Sequence, residues 1–400
     1  MAPRILYVLH AFHNIAGTEK HTKTLSWSMA PDFESFILAP HGDELVLYAG
    51  DAASARREDA GVRARLAYQA PSWPIVSYEA PQTVVALQKV VAAVRPDLIH
   101  VQHLHNYPLC ALDVLTATGI PVVLSLHDYY LVSPHFTLEG VRDPREAATP
   151  EAAERVFGKN IAGYLRQRQE IFARALAKVQ MIITPSAYLA HEIGKLYKTR
   201  YFVIEHGITP FEAKPLADRA PKSLHFGYIG SLLPQKGWWL LIEAFRKLAD
   251  ELPKVQLDIY GGVAKEKQFQ HQRVIYHGVY QSRQLPEIIS RIDVGIIPSV
   301  FRETYSLTLS ELWMGQRPVV ASRIGALADR VRDGENGRLF NAGNAEQLLE
   351  MMRWFCAESN WREWQIPRPR DVQSMVREYK ILYSKIITAQ RKQGKGKSSP

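Results

Sequence analysis

Cysteine is nearly absent: the 400 residues contain two, Cys110 and Cys356, far apart in the chain. Two isolated thiols make neither a zinc signature nor a disulfide framework, so a disulfide-stapled scaffold is excluded and a reducing compartment is expected. Long apolar runs are missing as well. No stretch reaches the ~18 residues of a membrane-spanning helix, and the apolar start Ile5 to Leu9 is too short for the core of a secretory signal. No Gly-x-Gly-x-x-Gly follows that first run, which disfavours a dinucleotide-dependent redox enzyme, and there is no Gly-Lys-Ser/Thr phosphate loop. Acids are outnumbered: 49 Lys and Arg face 40 Asp and Glu, a net charge of +9. Residues 391–400 carry one Arg, three Lys and no acid, leaving +5 for the rest. That excess fits an anionic ligand, an anionic membrane surface or nucleic acid, without choosing between them.

What is present is a globular composition, 46% hydrophobic and 22% charged, long enough for two or three domains. Short apolar runs at Ile5–Leu9, Phe36–Ala39, Leu98–Val101, Pro121–Leu126, Met181–Thr184 and Phe202–Ile204 read as buried strands. Between them lie helical periodicities, for example Val84, Leu87, Val91 and Val94. This alternation predicts a parallel sheet covered on both faces. Pro210, Pro215 and Pro221 then mark an interdomain connection, after which a second alternating series begins. Its strands are expected near Leu224–Ile229, Gln256–Tyr260, Val274–Tyr276, Val294–Ile297 and Val319–Ala321. Residues 372 to 389 form a last amphipathic helix, and the tail reads as disordered. From Ala153 to Lys178, six basic residues and two Glu are interspersed with apolar ones. This stretch is either a solvated helix face or a surface for a membrane or partner.

The densest chemistry lies between Ile296 and Gly337. Pro298-Ser299 ends a strand, Glu303 follows in a loop, and Glu311 comes eight positions later. Ser306 or Leu307 opens a helix, whose free N–H groups and positive end can hold a diphosphate. Glu311, one turn inside, can accept hydrogen bonds from ribose hydroxyls. Taken alone, the two acids read first as ordinary surface residues at a helix start.

Their surroundings change that reading. Pro298-Ser299-Val300-Phe301-Arg302-Glu303-Thr304-Tyr305-Ser306-Leu307-Thr308-Leu309-Ser310-Glu311, followed by Gly315-Gln316-Arg317-Pro318-Val319-Val320-Ala321, resembles the retaining glycosyltransferases of the GT-B fold, family 4. Phe226 to Gly237, with Gly230-Ser231 and Lys236-Gly237, resembles the first strand and phosphate-lysine loop of that family's donor domain. Tyr260-Gly261-Gly262 and Tyr276-His277-Gly278 resemble its next strand ends. Ala16-Gly17-Thr18-Glu19 resembles the family's glycine loop, and Ser125-Leu126-His127-Asp128 the strand end with its cleft histidine. Thr184-Pro185-Ser186 and Glu205-His206-Gly207 resemble the end of its first domain, so the likeness covers roughly residues 4 to 390.

The resemblance implies an α/β chain of two Rossmann-like doubly wound domains facing across a cleft. The acceptor-side domain is expected at 1–208, with the helix 372–390 crossing back to it, the donor domain at 222–370, and a disordered basic tail at 391–400. It implies catalytic roles for His127, Glu303 and Lys236, and donor binding by Gly17, Ser231, Lys236, Gly262, Tyr305, Ser306, Leu307 and Glu311. Glu303 would hold sugar hydroxyls and is not assigned as a nucleophile. The implied reaction moves a sugar from a nucleotide-diphospho-sugar to an acceptor hydroxyl with retention, without a cofactor or metal. The acceptor would be a lipid-linked glycan in surface polysaccharide or glycolipid synthesis, in the cytoplasm at the inner membrane face. Two positions depart from the family pattern: Ser231 stands where Arg is common, and Ser306 where Gly is common. His100, His103 and His105 lack a carboxylate or Cys to complete a metal set and are expected to line the cleft or satisfy loop backbone. A nucleotide-sugar epimerase shares the donor features. A nucleic-acid-binding protein has only the charge in its favour, with no stacking platform or recognition helix.

Overall fold

The structure, a computed structural model, describes residues 2–13, 16–51, 61–216, 223–262 and 268–396, with side chains to 393. It divides into two compact units, Met1–His206 with Val372–Pro400, and Gly207–Asp371. The sequence reading set the change at 208 and the second start at 222; residue 222 lies outside the described residues.

The first unit is built on eight strands: β1 (Arg4–Val8), β2 (Glu34–His41), β3 (Glu44–Ala49), β4 (Val62–Ala67), β5 (Leu98–Val101), β6 (Val122–Ser125), β7 (Met181–Thr184) and β8 (Tyr201–Val203). Their order is β4-β3-β2-β1-β5-β6-β7-β8. Alternate residues of β1 serve opposite faces, as the two-residue strand period requires. Leu6 and Val8 join one core, with Leu87, Val90, Phe172 and Leu176, while Ile5 and Tyr7 join another with Tyr379 and Tyr383 of the last helix. That helix therefore belongs to the first unit.

The expectation of a purely parallel sheet needs correction here. β3 runs antiparallel to both β2 and β4. His41 pairs with Glu44 across a two-residue turn, Gly42-Asp43. Gly42 has φ of +62°, the left-handed conformation that tight hairpin turns demand.

A second correction concerns 153–178. Two helices occupy it, Pro150–Phe157 and Ala162–Leu176, parted at Gly158, where φ is +66°. Leu165, Ile171, Phe172 and Leu176 are buried in the unit's core. Arg168 is 0% exposed: its guanidinium donates to the carbonyls of Tyr130 and Leu131 and lies 4.5 Å and 4.7 Å from the Tyr130 and Phe172 rings. Of the two readings left open for this stretch, the apolar face is not free for a membrane or partner: it is used in folding, because the sheet beneath it needs a cover. A third difference is at the end of the chain, where the last helix runs Val372–Gly396, past the expected start of disorder at 391; residues 397–400 lie outside the described residues. Among the described residues no helix is long and apolar enough to cross a membrane.

The second unit holds β9 (His225–Ile229), β10 (Gln256–Tyr260), β11 (Val274–Gly278), β12 (Val294–Ile297), β13 (Val319–Ser322) and β14 (Gly337–Phe340). They are ordered β11-β10-β9-β12-β13-β14, and all pairs are parallel. The helices Trp238–Glu251 and Ala345–Ala357 contribute Leu241, Phe245, Leu349 and Phe355 to one face's core. Leu285–Arg291 and Leu307–Met314 cover the other with Ile289, Leu309 and Leu312. The chain moves outward from β9 in both directions, so its loops diverge beside β9 and β12. In parallel sheets this switch point at the carboxyl ends of the strands is where ligands bind.

Candidate active site

Two of those carboxyl-end loops converge on one carboxylate. After β9 the chain makes a short turn, Pro234–Lys236, and Gly237 starts the helix Trp238–Glu251 with φ of +67°. After β12, Pro298-Ser299 leads to Glu303. Lys236 Nζ lies 2.8 Å from Glu303 Oε1, and the Ser299 hydroxyl donates to the same oxygen at 2.8 Å. Glu303 is 6% exposed. Two glycines permit this packing. A Cβ on Gly237 would stand 1.8 Å from the Pro298 carbonyl oxygen, and one on Gly325 would stand 2.5 Å from the Glu303 carbonyl oxygen. The Ala326 N–H donates to that Glu303 carbonyl at 2.8 Å, fixing the backbone as well as the side chain. Burial pushes the nearby Tyr228 hydroxyl pKa up, and the Glu303 charge adds to it.

The loop continues through Tyr305 and Ser306 into the helix Leu307–Met314. Ser306 precedes the helix with φ of +69°, a conformation that costs a side chain what it would not cost glycine. Arg330 holds this strained turn. Its guanidinium donates to the carbonyls of Tyr305 and Ser306 at 2.7 and 3.1 Å, and to the Ser310 hydroxyl at 2.8 Å. It also lies 4.0 Å from the centre of the Tyr305 ring, which is 2% exposed. Tyr305 therefore offers the site its backbone, with its ring turned into the domain. Glu311 is half-buried one turn along, where its charge, after burial itself, pushes the Tyr280 hydroxyl up. Ser231 is exposed in the loop after β9, its carbonyl accepting the Tyr228 hydroxyl at 2.7 Å, and Gly262 is exposed just after β10.

In the first unit, His127 follows β6 and lies among histidines from distant positions. Its ring is 5.2 Å from that of His21 and stacks at 5.3 Å on that of His206, while His206 Nδ1 is 3.1 Å from His21 Nδ1. His127 Nε2 donates to Gln102 Oε1 at 2.9 Å, which turns Nδ1 the other way. Burial disfavours the imidazolium: the His21 pKa is pushed down to about 4, and that of His127 well below its ordinary value, with His21 adding to the effect. His100 is bonded to Tyr383 and Ser125, at 2.5 and 2.8 Å. His103 donates to Asp128 at 2.9 Å and accepts the His105 N–H. Two of the three histidines thus satisfy side chains of the fold, and His103 also satisfies loop backbone. Among the described residues no group of His, Cys, Asp and Glu has the arrangement of a metal site. Gly17 opens the helix Gly17–Trp27.

The second unit thus gathers Lys236, Glu303, Ser306, Leu307 and Glu311 around its switch point, while His127 and Gly17 belong to the first unit. Sequence reasoning missed the parts played by Arg330, Gly325 and Gln102. Gly325 had a visible signal, a glycine after the strand Val319–Ser322 that opens the helix Gly325–Arg330, but an isolated arginine and glutamine have none.

Residues 15–210 match the family described as Glycosyltransferase Family 4, and residues 223–358 that described as Glycosyl transferases group 1. The chain belongs to the group 1, family 4 glycosyltransferases. Its architecture of two Rossmann-like domains is the GT-B fold. The sulfoquinovosyl transferase of Arabidopsis thaliana is 24% identical over 68% of this chain and 52% of its own. A glycogen synthase of Mycobacterium tuberculosis is 27% identical over 54% of this chain and 56% of its own. The matched region thus spans about half the length of these curated relatives. Among solved structures, Anabaena HepE in complex with UDP-glucose aligns with a TM-score of 0.59 at 18% identity, over 98% of this chain and 99% of that one.

Proposed function

We propose that this glycosyltransferase moves a sugar from a nucleoside-diphosphate sugar to an acceptor hydroxyl, with retention at the anomeric carbon. The observation that carries the reading is the Lys236–Glu303 pair next to the open start of the helix Leu307–Met314. On this reading the ammonium and the N–H groups at Ser306 and Leu307 meet the charge that grows on the departing diphosphate. Lys236 and Ser299 occupy Glu303 Oε1, so Oε2 is the oxygen assigned to the sugar hydroxyls. A carboxylate so held orients substrate and is a poor nucleophile. Glu311 takes the ribose hydroxyls, and Gly17, Ser231, Gly262 and the Tyr305 backbone complete the donor contacts. His127, kept neutral by burial, is assigned to the transferring sugar on the acceptor side. The leaving phosphate itself takes the acceptor proton. The cationic groups supply the charge stabilisation, so we assign no metal to the reaction.

HepE binds UDP-glucose, which supports a nucleotide-sugar donor. Relatives named as a sulfoquinovosyl transferase and a glycogen synthase support a role in polysaccharide or glycolipid synthesis. We assign a lipid-linked acceptor at the cytoplasmic membrane face. With the apolar helix face buried, attraction of this stretch to a membrane rests on exposed Arg155, Lys159, Arg166, Arg174 and Lys178, and is lost in high salt.

The test is binding of UDP and of uridine to Lys236→Ala. Loss of UDP affinity well beyond any loss for uridine is the expected result. Equal losses for the two ligands would remove Lys236 from the phosphates, and turnover abolished by chelator and restored by a divalent ion would overturn the metal-free assignment.

A further inference from the structure

The second unit has a second concave site, at the edge opposite the switch point. Because its six strands are all parallel, their amino ends share one edge. The turn Gly315–Pro318 leads into β13 at that edge and forms one wall of an open cavity of about 810 Å³. The other walls come from 211–216 and 361–368, the stretches next to the two chain passages that join this unit to the rest.

The lining has a definite chemistry. Four cations reach it, Lys214, Arg317, Arg362 and Arg368, against one acid, Glu212. Arg317 is 1% exposed, and its guanidinium is held by carbonyls alone, of Ile289, Gly315 and Lys214 at 3.0, 2.9 and 2.6 Å. Burial lowers its pKa to about 10, with the charge of buried Asp293 opposing that shift. Lys214 and Arg368 are exposed and form no ion pair with a described residue. Trp364 and Phe211, both half-buried, add aromatic surface, and the Arg362 guanidinium lies 4.5 Å from the ring of buried Trp361. The Trp361 N–H is spent on the carbonyls of Phe355 and Glu358, and its ring belongs to the core of the unit.

Aromatic walls accept the C–H faces of a sugar ring, and guanidinium and ammonium groups hold carboxylate or phosphate. We propose that this pocket binds a saccharide ring bearing an anionic group, at a site separate from the loops of Lys236 and Glu303. The cavity is large enough for one or two such rings, because drug-sized ligands occupy roughly 300–1,000 Å³. The proposal stands whether or not those loops hold a nucleotide sugar.

The experiment titrates the full chain, with and without saturating UDP, with galacturonate trisaccharide, glucose 6-phosphate, maltotriose and inorganic phosphate, followed by calorimetry. Binding of the uronate or the sugar phosphate is expected, with neutral maltotriose and phosphate at least about tenfold weaker. The first two arms distinguish a carboxylate from a phosphate as the anion. Removing one charged contact costs roughly tenfold, so Lys214→Ala and Arg368→Ala, both surface changes, should each weaken the bound arm by about that factor. Lys236→Ala should leave it unchanged. Competition by UDP, or loss of binding in Lys236→Ala, would assign the ligand to the switch-point loops and overturn the proposal. So would maltotriose or phosphate alone matching the anionic sugars, binding unaffected by Lys214→Ala and Arg368→Ala, or no binding at millimolar concentration.

Discussion

Replacing Gly237 by alanine imposes two penalties on the residue that sets Lys236 in place. The backbone φ of +67° costs an L-residue ~1–2 kcal/mol. The new Cβ would also stand 1.8 Å from the Pro298 carbonyl oxygen and 2.8 Å from its carbon. Both are backbone atoms, tied by the Val300 N–H to the Gln235 carbonyl at 3.0 Å, so neither loop yields easily. Overpacking of this kind adds ~1–3 kcal/mol, for a combined loss of about 2–5 kcal/mol. Gly343 provides the control, with φ of +85° and nothing within 4 Å of its Cβ position. Gly343→Ala should lose only the conformational part, about 1–2 kcal/mol. Urea unfolding followed by tryptophan emission separates them, since six of the eight tryptophans lie in the second unit. With a denaturant slope of about 2 kcal/mol/M, the midpoint should fall by roughly 0.5–1 M for Gly343→Ala and 1–2.5 M for Gly237→Ala. UDP affinity should drop in Gly237→Ala and persist in Gly343→Ala. Equal midpoints for the two variants would mean that the close approach to Pro298 is not a constraint, and the reasoning fails.

Ser306→Gly should leave stability within about 0.5 kcal/mol, or raise it, whereas Ser306→Val should lose about 1–2 kcal/mol, because a β-branched residue tolerates positive φ poorly; thermal melting reads both. Arg168→Glu should destabilise the first unit by more than about 3 kcal/mol, since it sets a carboxylate against two carbonyls in a buried site. Arg166→Glu with Arg174→Glu, both exposed, should melt close to the parent. The pH dependence follows from His21, whose folded pKa of about 4 lies below its ordinary 6.5. The unfolded chain then binds the extra proton, so this stability is present above pH 6.5 and lost as pH falls toward 4, by about 3 kcal/mol in all. His21→Leu should flatten the difference in melting temperature between pH 7 and pH 4.5, and an unchanged slope would place the titration elsewhere.

Several strands were legible to the residue. β7, β10 and β12 were read with the bounds they have; β7 and β12 leave short apolar runs because strands buried on both faces need them, and β10 keeps three apolar residues of five around Asp258. β4 left no such mark: Val62-Arg63-Ala64-Arg65-Leu66-Ala67 is an edge strand that alternates between half-buried and exposed residues, and an antiparallel partner was needed to define it. Residues 153–178 stayed open between two readings for a related reason. A helix period shows which residues share a face, but what that face meets depends on the sheet beneath it. The site divides in the same way. Local sequence supplied Glu303, Glu311 and the helix start between them, and the family resemblance added Lys236 and His127. That Lys236 reaches Glu303, 67 residues away, follows from β9 and β12 being neighbours in the sheet. Arg330, Arg317 and Arg168 look like ordinary surface cations in sequence. Each is bound instead by carbonyls from segments remote in the chain. Local pattern therefore determined which segments become strands and helices, since that depends on neighbours along the chain. Tertiary structure decided which charges are buried and what holds them, since desolvating a cation is tolerable only where distant backbone supplies acceptors in its place.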